Sequence, residues 1–562
     1  MQKIKNNFPS ILIIVLSLLI IWPLFLQGYF SHHDDLQVMR VYEMRKCLED
    51  FQIPCRWVPD MGYGNGFPLF NFYGVLPYYI GALFSFITGY IWAAKIIFLI
   101  PAVFGGISMY FLGKELFGKN TGTVAGVLYL FAPYRALDLY VRGAVAESFA
   151  LAIAPLMFYF SYKLIKENRF KNFLGFLLSL SAFLMCHNIM TMLFLPVLIV
   201  WMAYSLIINK FKNWLPLVLG VVLGFGLAAF FIIPAYLEQG LIQTETLTRN
   251  DLDFRVHFVT ISQLFFNRAW GYGASILGPV DHLSFQIGWP YWWLVVIAGI
   301  LLIFNLIRRK TKNVIIISFF LIIFLISVFM THNRSAFVWE KIGILRFTQF
   351  PWRFLSLTIF SASLLGGSVV LFFRNEKWQK IIATIIIILT VLLNWNYFKP
   401  EKFYSNINDQ IKLSDGEWET QQKASILDYL PKTALEPREK SPNKPIIISG
   451  KAQINNFTNK SNYWKFNINV LDQTKIELPV FDFPNWEVFI DNQKVGHNHN
   501  NFLGRISFDL LPGTYNIEGR LENTSIRNIA NIISLLSILA ILFLAKYGKT
   551  EASLFKKKND EQ

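Results

Sequence analysis

The chain has 562 residues, of which 54% are hydrophobic and 17% aromatic, and its net charge is +16. Soluble domains hold about 45–50% apolar residues, and here the apolar residues form charge-free blocks long enough to cross a bilayer. A soluble globular protein is therefore excluded. The basic residues cluster in short segments between the apolar blocks, which is the positive-inside pattern of membrane proteins and not the basic patch of a nucleic-acid-binding protein. Nucleic acid is not an expected partner.

The basic segments fix the predicted topology, because short loops rich in Lys and Arg face the cytoplasm. They are Lys114/Lys119, Lys163–Lys171, Lys210/Lys212, Arg308–Lys312, Arg374–Lys380 and the tail Lys546–Lys558. We predict a multi-pass plasma-membrane protein with about 12–13 transmembrane helices and both termini in the cytoplasm. The predicted spans are 11–30, 91–113, 120–134, 147–163, 173–186, 189–208, 215–237, 289–307, 313–330, 354–373, 381–398 and 527–545.

One further apolar stretch, 70–89, would move the basic segment Lys163–Lys171 to the outside if it crossed the membrane. We therefore predict that this stretch is re-entrant or lies on the outer surface, with a short pair of spans as the alternative. Four segments of the predicted membrane domain 1–398 then lie on the outer side of the membrane. They are the first loop 31–90, a short segment from Arg135 to Glu147, 238–288 and 331–353.

The first outside loop begins with Ser-His-His-Asp-Asp and continues into a predicted amphipathic helix. Its apolar residues recur at steps of three or four between charged ones, a pattern typical of a helix lying in the membrane interface. They are Val38, Val41, Met44, Leu48 and Phe51. The loop also holds Cys47 and Cys55. Three cysteines are too few for a disulfide framework, so we expect two free thiols, with a disulfide as the alternative.

Residues 399–526 form a predicted extracytoplasmic domain, followed by the last helix and basic tail in 527–562. Apolar residues alternate there with polar ones, and turns at Asp491-Asn492 and Pro512-Gly513 separate the runs. Such alternation predicts a small antiparallel β-sandwich. The alternating sets are Trp464/Phe466/Ile468/Val470, Ile476/Leu478/Val480, Trp486/Val488/Ile490 and Ile506/Phe508/Leu510.

The ionisable residues that could carry chemistry lie at the outer ends of the spans. Ion-coupled transporters place such groups near the bilayer midplane, so this distribution favours chemistry at the outer surface. Asp34 and Asp35 follow the first span, where either could act as a general base or simply cap the next helix. Glu147 allows two similar interpretations, as a second catalytic acid or as a first-turn carboxylate that favours the helix dipole.

The fourth outside loop carries an excess of positive charge. Arg334, Arg346 and Arg353 are candidates for binding a lipid phosphate, because guanidinium groups suit phosphate oxygens; an interfacial Arg/Trp anchor is the alternative. His33, Arg142 and His187 are candidates for contacting substrate, although His187 also suits a polar turn. Neither His32-His33 nor His497-x-His499 has a complete ligand set for zinc. We therefore expect no cofactor, and a divalent metal is improbable.

Several motifs resemble a known bacterial membrane family. They are His-Asp-Asp, Cys-Arg-Trp-Val-Pro-Asp, Gly-Tyr-Gly-Asn-Gly-Phe-Pro-Leu-Phe-Asn-Phe and Leu-Pro-Tyr-Tyr within 30–86. That family is labelled 6-pyruvoyl-tetrahydropterin synthase-related, and it is similar in turn to the GT-C membrane glycosyltransferases, including oligosaccharyltransferases and protein mannosyltransferases. The resemblance implies a GT-C-like fold and a catalytic acid at Asp34 or Asp35. It also implies a second acidic motif in which Glu147 matches and Ala146 replaces the neighbouring carboxylate or amide.

The sequence has no Gly-rich phosphate-binding loop between a strand and a helix, so we predict no cytoplasmic nucleotide-sugar domain and expect a sugar donor that is already attached to a lipid. Together with the resemblance, this leads to one predicted function. The chain would move a sugar from a polyprenyl-phosphate donor, with inversion, to an extracytoplasmic acceptor such as a cell-envelope glycan, a lipid or a protein. Asp34 or Asp35 would be the base, Glu147 would support it, and the loop arginines would hold the leaving phosphate. The alternative is a non-catalytic scaffold or a glycan- or lipid-binding protein, and a transporter is the third choice.

Overall fold

The computed structural model describes residues 2–276, 281–307, 313–425 and 429–547. As predicted, a helical membrane domain precedes a small domain of antiparallel sheets and one last helix. Nine of the described helical segments are long and apolar enough to cross a bilayer. They are Tyr90–Phe117, Val145–Lys166, Asn188–Ile208, Trp214–Leu237, Trp289–Ile307, Val314–Thr331, Pro351–Phe372, Glu376–Tyr397 and Ser525–Lys546.

The other predicted spans correspond to shorter or bent helices. Lys119–Leu130 and Pro133–Arg142 form a pair bent by 43°, and Asn7–Ile20 and Phe170–Leu184 are shorter apolar helices. Further helices lie in the connections: Gln37–Glu49, Leu69–Phe72, Leu76–Thr88, Ile261–Phe265, Ala336–Lys341, Asp409–Lys412 and Asp415–Ser425. The basic segment 308–312 and most of the basic tail lie outside the described residues.

The first helix ends earlier than the predicted span 11–30. It runs from Gln2 to Ile20, and a 3₁₀ turn that contains Pro23 follows. The strand Tyr29–Phe30 then pairs antiparallel with Phe403–Tyr404. This pairing brings the start of the first outside loop against the start of the region 399–526.

The apolar stretch 70–89 does not cross the membrane domain. Its main helix, Leu76–Thr88, has 13 residues and is about 20 Å long, shorter than a bilayer core. The amide of Leu76 donates to the carbonyl of Met185 at 3.1 Å, and the amide of Tyr90 donates to Asp409 at 2.8 Å. Both ends of this helix therefore contact connections at the same end of the bundle, in agreement with the predicted re-entrant or surface position.

The prediction of an interfacial helix in the first outside loop is wrong. The helix Gln37–Glu49 packs against Leu76–Thr88 and Tyr90–Phe117, and its charged residues Arg40 and Glu43 are buried. Burial is possible because Arg40 pairs with Asp34 at 2.7 Å, while Glu43 accepts the amide of Asp60 at 3.1 Å. The helix is therefore part of the protein interior.

The expectation of two free thiols in this loop is also wrong. Cys47 and Cys55 form a disulfide, with their Cα atoms 5.6 Å apart. The helix ends at Glu49 and the chain then reverses, so the second cysteine returns beside the first. Disulfides form in oxidising compartments, which is consistent with a loop on the outer side of the membrane. Cys186 is buried and unpaired.

The predicted antiparallel β-sandwich is confirmed. One sheet has five strands in the spatial order Ala452–Asn459, Tyr463–Val470, Gly513–Leu521, Trp486–Ile490 and Gln493–Val495. The other has three, in the order Ile446–Ser449, Thr474–Phe481 and Arg505–Leu510. The alternating apolar residues point into the core, as for Trp464, Phe466, Ile468 and Val470, each at most 3% exposed.

The β-sandwich rests on the connections of the membrane domain. Arg505 donates through Nε to Asn65 at 2.7 Å, and the amide of Ser461 donates to Asp50 at 2.7 Å. These contacts tie the sandwich to the first outside loop. The segments that the sequence assigned to the outside therefore gather at one end of the helix bundle.

Candidate active site

The first outside loop and the segment from Arg135 to Glu147 lie side by side and are joined by main-chain hydrogen bonds. The amide of His33 donates to the carbonyl of Val141 at 2.9 Å, and the amide of Asp34 donates to that of Arg142 at 3.0 Å. The side chain of Gln37 adds a bond to the carbonyl of Gly143 at 2.9 Å. Asp34 is thereby held beside the start of the helix that carries Glu147.

The second segment contains an unusual local structure. Residues Leu137–Arg142 form a π-helical turn, and Gly143 ends it in the left-handed region at φ 66°. Such turns are rare and occur frequently at functional sites. A Cβ atom on Gly143 would lie 2.7 Å from the ring of His32, so the absence of a side chain allows the two segments to approach. The helix Val145–Lys166 then begins, with Glu147 in its first turn.

Glu147 belongs to a buried group of charged and polar side chains. Its Oε2 lies 2.9 Å from Nη1 of Arg142, its Oε1 accepts a hydrogen bond from Tyr134 at 2.5 Å, and Arg142 also pairs with Asp138. Glu147 and Asp138 are both fully buried. Buried charges need partners of this kind, so Glu147 and Arg142 are occupied by protein contacts.

Asp34 is held by one carboxylate oxygen and keeps the other available. Oδ2 accepts hydrogen bonds from Arg40 at 2.7 Å and from Gln37 at 3.0 Å. Within the described part of the chain no donor contacts Oδ1, and the side chain is 33% exposed. The alternative that Asp34 or Asp35 caps the next helix is wrong: the N-cap is Leu36, without a side-chain cap.

Asp35 points in a different direction from Asp34. Its Oδ2 lies 2.6 Å from Nζ of Lys412 and accepts a hydrogen bond from Gln421 at 3.2 Å. Both partners belong to the region after the membrane domain. The structure therefore separates the two adjacent carboxylates, and only Asp34 faces the cavity described next.

A cavity of about 1320 Å³ joins most of the predicted site residues. Its polar wall includes His33, Asp34, Arg40, Arg142, Glu147, His187 and Arg353. Its apolar lining includes Met192, Ile232, Ala235, Leu247, Ile344 and Phe347. Tyr236 and Ile344 are 69% and 56% exposed, so the apolar side opens onto the outer surface of the helix bundle. We call this space the main cavity.

Of the three predicted phosphate-binding arginines, the structure brings only Arg353 to the main cavity. Its Nη1 donates to the carbonyl of Thr348 and to Gln349, both at 2.8 Å, and its Nε is 3.7 Å from Glu147. None of the described residues accepts a hydrogen bond from its Nη2. Arg334 and Arg346 are exposed and do not line the cavity.

His187 lies between the carboxylates and the guanidinium groups of the polar wall. Its Nδ1 accepts the amide of Met190 at 3.3 Å, which leaves the ring proton on Nε2. Burial lowers the pKa of His187 to about 3, so the imidazole is neutral at pH 7. His33 lines the same wall, with Nε2 2.7 Å from the carbonyl oxygen of Tyr272. A neutral His187 can donate one hydrogen bond to a ligand without adding charge.

Several residues that line this wall or hold its side chains in place were not identified from the sequence. Arg40 and Gln37 follow Asp34 at steps of three, a spacing that places residues on one helix face and could have indicated them. Tyr134 had no comparable signal. The ring of Trp352 lies beneath the guanidinium of Arg142, 4.7 Å from its carbon, a cation–π contact that depends on the tertiary fold.

The histidines considered as metal ligands have other contacts. His497 and His499 both contact Asp482, at 3.1 and 2.7 Å, in the β-sandwich. His32 is 3.3 Å from the hydroxyl of Tyr29. Among the described residues, no group of three or more His, Cys, Asp or Glu side chains is arranged to hold a metal ion.

Three solved structures are similar to this chain at low sequence identity. ArnT from Cupriavidus metallidurans, bound to undecaprenyl phosphate, is 14% identical over 69% of this chain and 64% of its own, with a TM-score of 0.40. The Archaeoglobus fulgidus oligosaccharyltransferase is 13% identical over 77% and 61%, with a TM-score of 0.41. The mycobacterial arabinofuranosyltransferase AftD is 14% identical over 72% and 28%, with a TM-score of 0.43. Similarity at this level carries no conclusion about activity.

Sequence comparison identifies the family. An uncharacterised protein of Lactococcus lactis subsp. cremoris is 25% identical over 327 residues, 55% of this chain and 51% of the relative, so the chain spans about half the length of that relative. The family model described as 6-pyruvoyl-tetrahydropterin synthase related domain, membrane protein, matches residues 70–400. This range holds Glu147, His187 and Arg353, whereas Asp34 precedes it. Because the match covers more than half of the chain, the protein belongs to the 6-pyruvoyl-tetrahydropterin synthase-related family of membrane proteins.

Proposed function

We propose that the protein is a membrane glycosyltransferase that moves a sugar from a polyprenyl-phosphate donor to an acceptor on the outer face of the plasma membrane. One observation carries the proposal. The main cavity has a carboxylate oxygen of Asp34 and the guanidinium of Arg353 on its polar wall, and an apolar wall that opens to the surface of the bundle. A ligand with a polar head and a long apolar tail fits this combination.

Asp34 would act as the general base. Its Oδ1 accepts the proton of an acceptor hydroxyl, and the hydroxyl oxygen forms a bond to the anomeric carbon of the donor sugar. The bond from that carbon to the phosphate oxygen breaks with inversion, and the polyprenyl phosphate leaves. Arg40 and Gln37 hold Oδ2, so the carboxylate keeps its orientation while the reacting oxygen faces the cavity.

Arg353 and His187 would receive the phosphate. The Nη2 of Arg353 offers a charge-assisted hydrogen bond, worth about 1.5–3 kcal/mol, and the Nε2 of His187 offers a neutral one. Both interactions strengthen as negative charge collects on the leaving oxygen. The prenyl chain would lie along the apolar wall near Ile344 and Phe347.

Glu147 would position other groups and not take part in proton transfer. Both of its oxygens are engaged, by Arg142 and Tyr134. It fixes Arg142, whose carbonyl in turn holds the amide of Asp34. The second acid of the predicted pair is therefore assigned a supporting role.

The test is transfer by the purified full-length chain in liposomes. A panel of radiolabelled undecaprenyl-phosphate hexoses serves as donor and a cell-envelope extract as acceptor. Asp34→Asn keeps the size of the side chain, and we expect it to lower the rate by about 10²–10⁴-fold. Asp60→Asn is the matched control, since Asp60 lies in the same loop, pairs with Lys46 and does not line the cavity.

Two outcomes would overturn the proposal. Full transfer by Asp34→Asn would exclude Asp34 as the base. If the wild-type chain turned over none of the donors and also failed to retain undecaprenyl phosphate in native mass spectrometry, the donor class would be wrong.

A further inference from the structure

The third outside segment contains a second, smaller cavity. It has a volume of about 320 Å³, at the lower end of the range for small-molecule sites, about 300–1,000 Å³. Two stretches of this segment form it by running antiparallel, with a bridge between Tyr272 and Leu283 and a hydrogen bond from the amide of Gly273 to the carbonyl of His282 at 3.0 Å. We call it the loop cavity.

Trp270, Tyr272 and Phe285 border the loop cavity, and contacts outside it hold the rings of Trp270 and Tyr272. Trp270 stacks on Tyr397 with ring centroids 4.6 Å apart. Tyr272 donates through its hydroxyl to the carbonyl of Lys399 at 2.9 Å. Rings held in this way offer a surface that loses little conformational freedom when a ligand binds.

The polar side chains of the lining carry little charge, and Leu283 and Phe285 are apolar. Asp281 accepts hydrogen bonds from the amide of Ile276 at 2.8 Å and from Gln263 at 2.6 Å. Asn267 accepts the amide of Ala269 at 2.8 Å, and its Nδ2 has no acceptor among the described residues. No Lys or Arg lines the loop cavity in the part of the chain that the structure describes. The described lining therefore offers no cationic side chain to bind a phosphate or a nucleotide.

The loop cavity adjoins the main cavity close to Asp34. Leu283 lines both spaces. His33, the neighbour of Asp34, contacts the carbonyl oxygen of Tyr272 at 2.7 Å, and the ring of Tyr272 borders the loop cavity. The residue next to the proposed base therefore contacts the main chain of a residue that lines the loop cavity.

We propose that the loop cavity binds a neutral sugar unit of the acceptor, so that the acceptor is a glycan or glycolipid. A pyranose has an apolar C–H face that suits an aromatic ring and hydroxyl groups that suit carboxylate and amide partners. The assignment of this sugar to an acceptor rests on the proposed glycosyltransferase function. Binding of a sugar in the loop cavity does not depend on it.

The experiment measures binding of simple sugars without any lipid donor. The full-length chain in nanodiscs is titrated with methyl β-D-glucopyranoside, methyl β-D-galactopyranoside, methyl α-D-mannopyranoside and the methyl glycoside of N-acetylglucosamine, and saturation-transfer NMR reports binding. We expect at least one glycoside to bind. Asn267→Leu removes a donor and should raise its Kd by about five- to tenfold.

Matched variants make the result specific. Trp270→Leu should also weaken binding, whereas Asn333→Leu, at an exposed residue that lines neither cavity, should not. Because Asn267 is exposed, its replacement tests the site even if Trp270→Leu fails to fold. Arg353→Gln should keep glycoside binding and lose retention of undecaprenyl phosphate.

The outcomes separate the two proposals. If no glycoside binds the wild-type chain, or if Asn267→Leu leaves the Kd unchanged, the loop cavity is not a sugar site, whatever the transfer assay gives. If a glycoside binds and Asn267→Leu weakens it while Asp34→Asn retains full transfer, the sugar site stands and the proposed mechanism fails.

Discussion

The Nζ of Lys412 lies 2.6 Å from the carboxylate of Asp35, although 377 positions separate the two residues. The Lys412 side chain is 4% exposed, and Glu417 is a second partner at 3.3 Å. Asp35 is adjacent to Asp34 in the chain. The region that follows the membrane domain therefore holds the loop that carries the proposed base.

Lys412→Met should displace the loop that carries Asp34, although Lys412 itself contacts Asp35 and not Asp34. Loss of one partner leaves the carboxylate of Asp35 largely buried and unpaired, which destabilises a protein by up to about 3–5 kcal/mol for a fully buried pair; Asp35 is 22% exposed, so we expect less. We predict a lower melting temperature and a reduced transfer rate, measured by thermal unfolding in detergent and by the liposome assay.

The double variant Lys412→Met/Asp35→Asn provides the control for this prediction. It removes both charges, so it should recover part of the stability lost in Lys412→Met. A double variant no more stable than Lys412→Met would mean that the pairing with Asp35 is not what Lys412 contributes.

Arg353→Gln should weaken retention of undecaprenyl phosphate by about 10–100-fold, because one charge-assisted contact of about 1.5–3 kcal/mol is lost. Native mass spectrometry at several lipid concentrations measures this change. Arg346→Gln is the matched control, since Arg346 lies in the same loop but is exposed and lines no part of the main cavity. Equal losses in the two variants would indicate a general surface attraction to the lipid headgroup.

His187 should make the folded protein sensitive to acid. Its pKa is lowered to about 3 in the folded state and is about 6.5 in an unfolded chain. Between these values the unfolded chain binds one proton more than the folded chain, so the free energy of unfolding falls by up to about 1.4 kcal/mol per pH unit as the pH decreases. Above pH 7 the effect is absent.

His187→Asn tests this dependence, because Asn can still accept the amide of Met190 as the N-cap. As the pH decreases from about 6.5 to about 4, the melting temperature of the variant should fall less steeply than that of the wild-type chain. This interval lies between the pKa values of His187 in the folded and the unfolded chain. Parallel curves over this interval would contradict a lowered pKa of His187 in the folded protein.

The predicted sidedness of the membrane domain can be tested by cysteine labelling. Asn168→Cys, in the exposed connection after the helix Val145–Lys166, should react with an impermeant maleimide only after the membrane is opened. Asn333→Cys, in the fourth outside segment, should react in intact cells. The native background should be low, because Cys47 and Cys55 are paired and Cys186 is buried. Labelling of position 168 in intact cells would reverse the predicted topology.

The sequence predicted those features that depend on local periodicity. The long apolar blocks correspond to helices in the structure, and the alternating residues from Trp464 to Val470 lie in a strand with one buried face. The prediction from sequence was wrong where contacts with distant parts of the chain determine whether a residue is buried. The charges on Gln37–Glu49 indicated an exposed face, but Asp34 and Asp60 lie close enough to satisfy Arg40 and Glu43 inside the protein.

In the candidate site, too, the sequence predicted some features, whereas others depend on tertiary contacts. Position in the outside segments was enough to single out Asp34, Glu147 and Arg353, and these three line one cavity. Residue type alone could not distinguish Arg353 from Arg346, because the turn Gly343–Thr348 directs Ile344 and Phe347 to the cavity and leaves Arg346 exposed. The catalytic roles of these residues stay predictions.

Substitution of Gly143 should disrupt the site, although this residue contributes no functional group to it. The spacing between the loop of Asp34 and the helix of Glu147 is set by main-chain hydrogen bonds to Val141 and Arg142, just before this residue, and by the Gln37 side chain, which donates to its carbonyl. Side-chain replacements nearby leave the two main-chain bonds in place, whereas a single methyl group at position 143 would meet the ring of His32. Random mutagenesis should therefore recover loss-of-function changes at this glycine among those that leave every charged residue of the site in place.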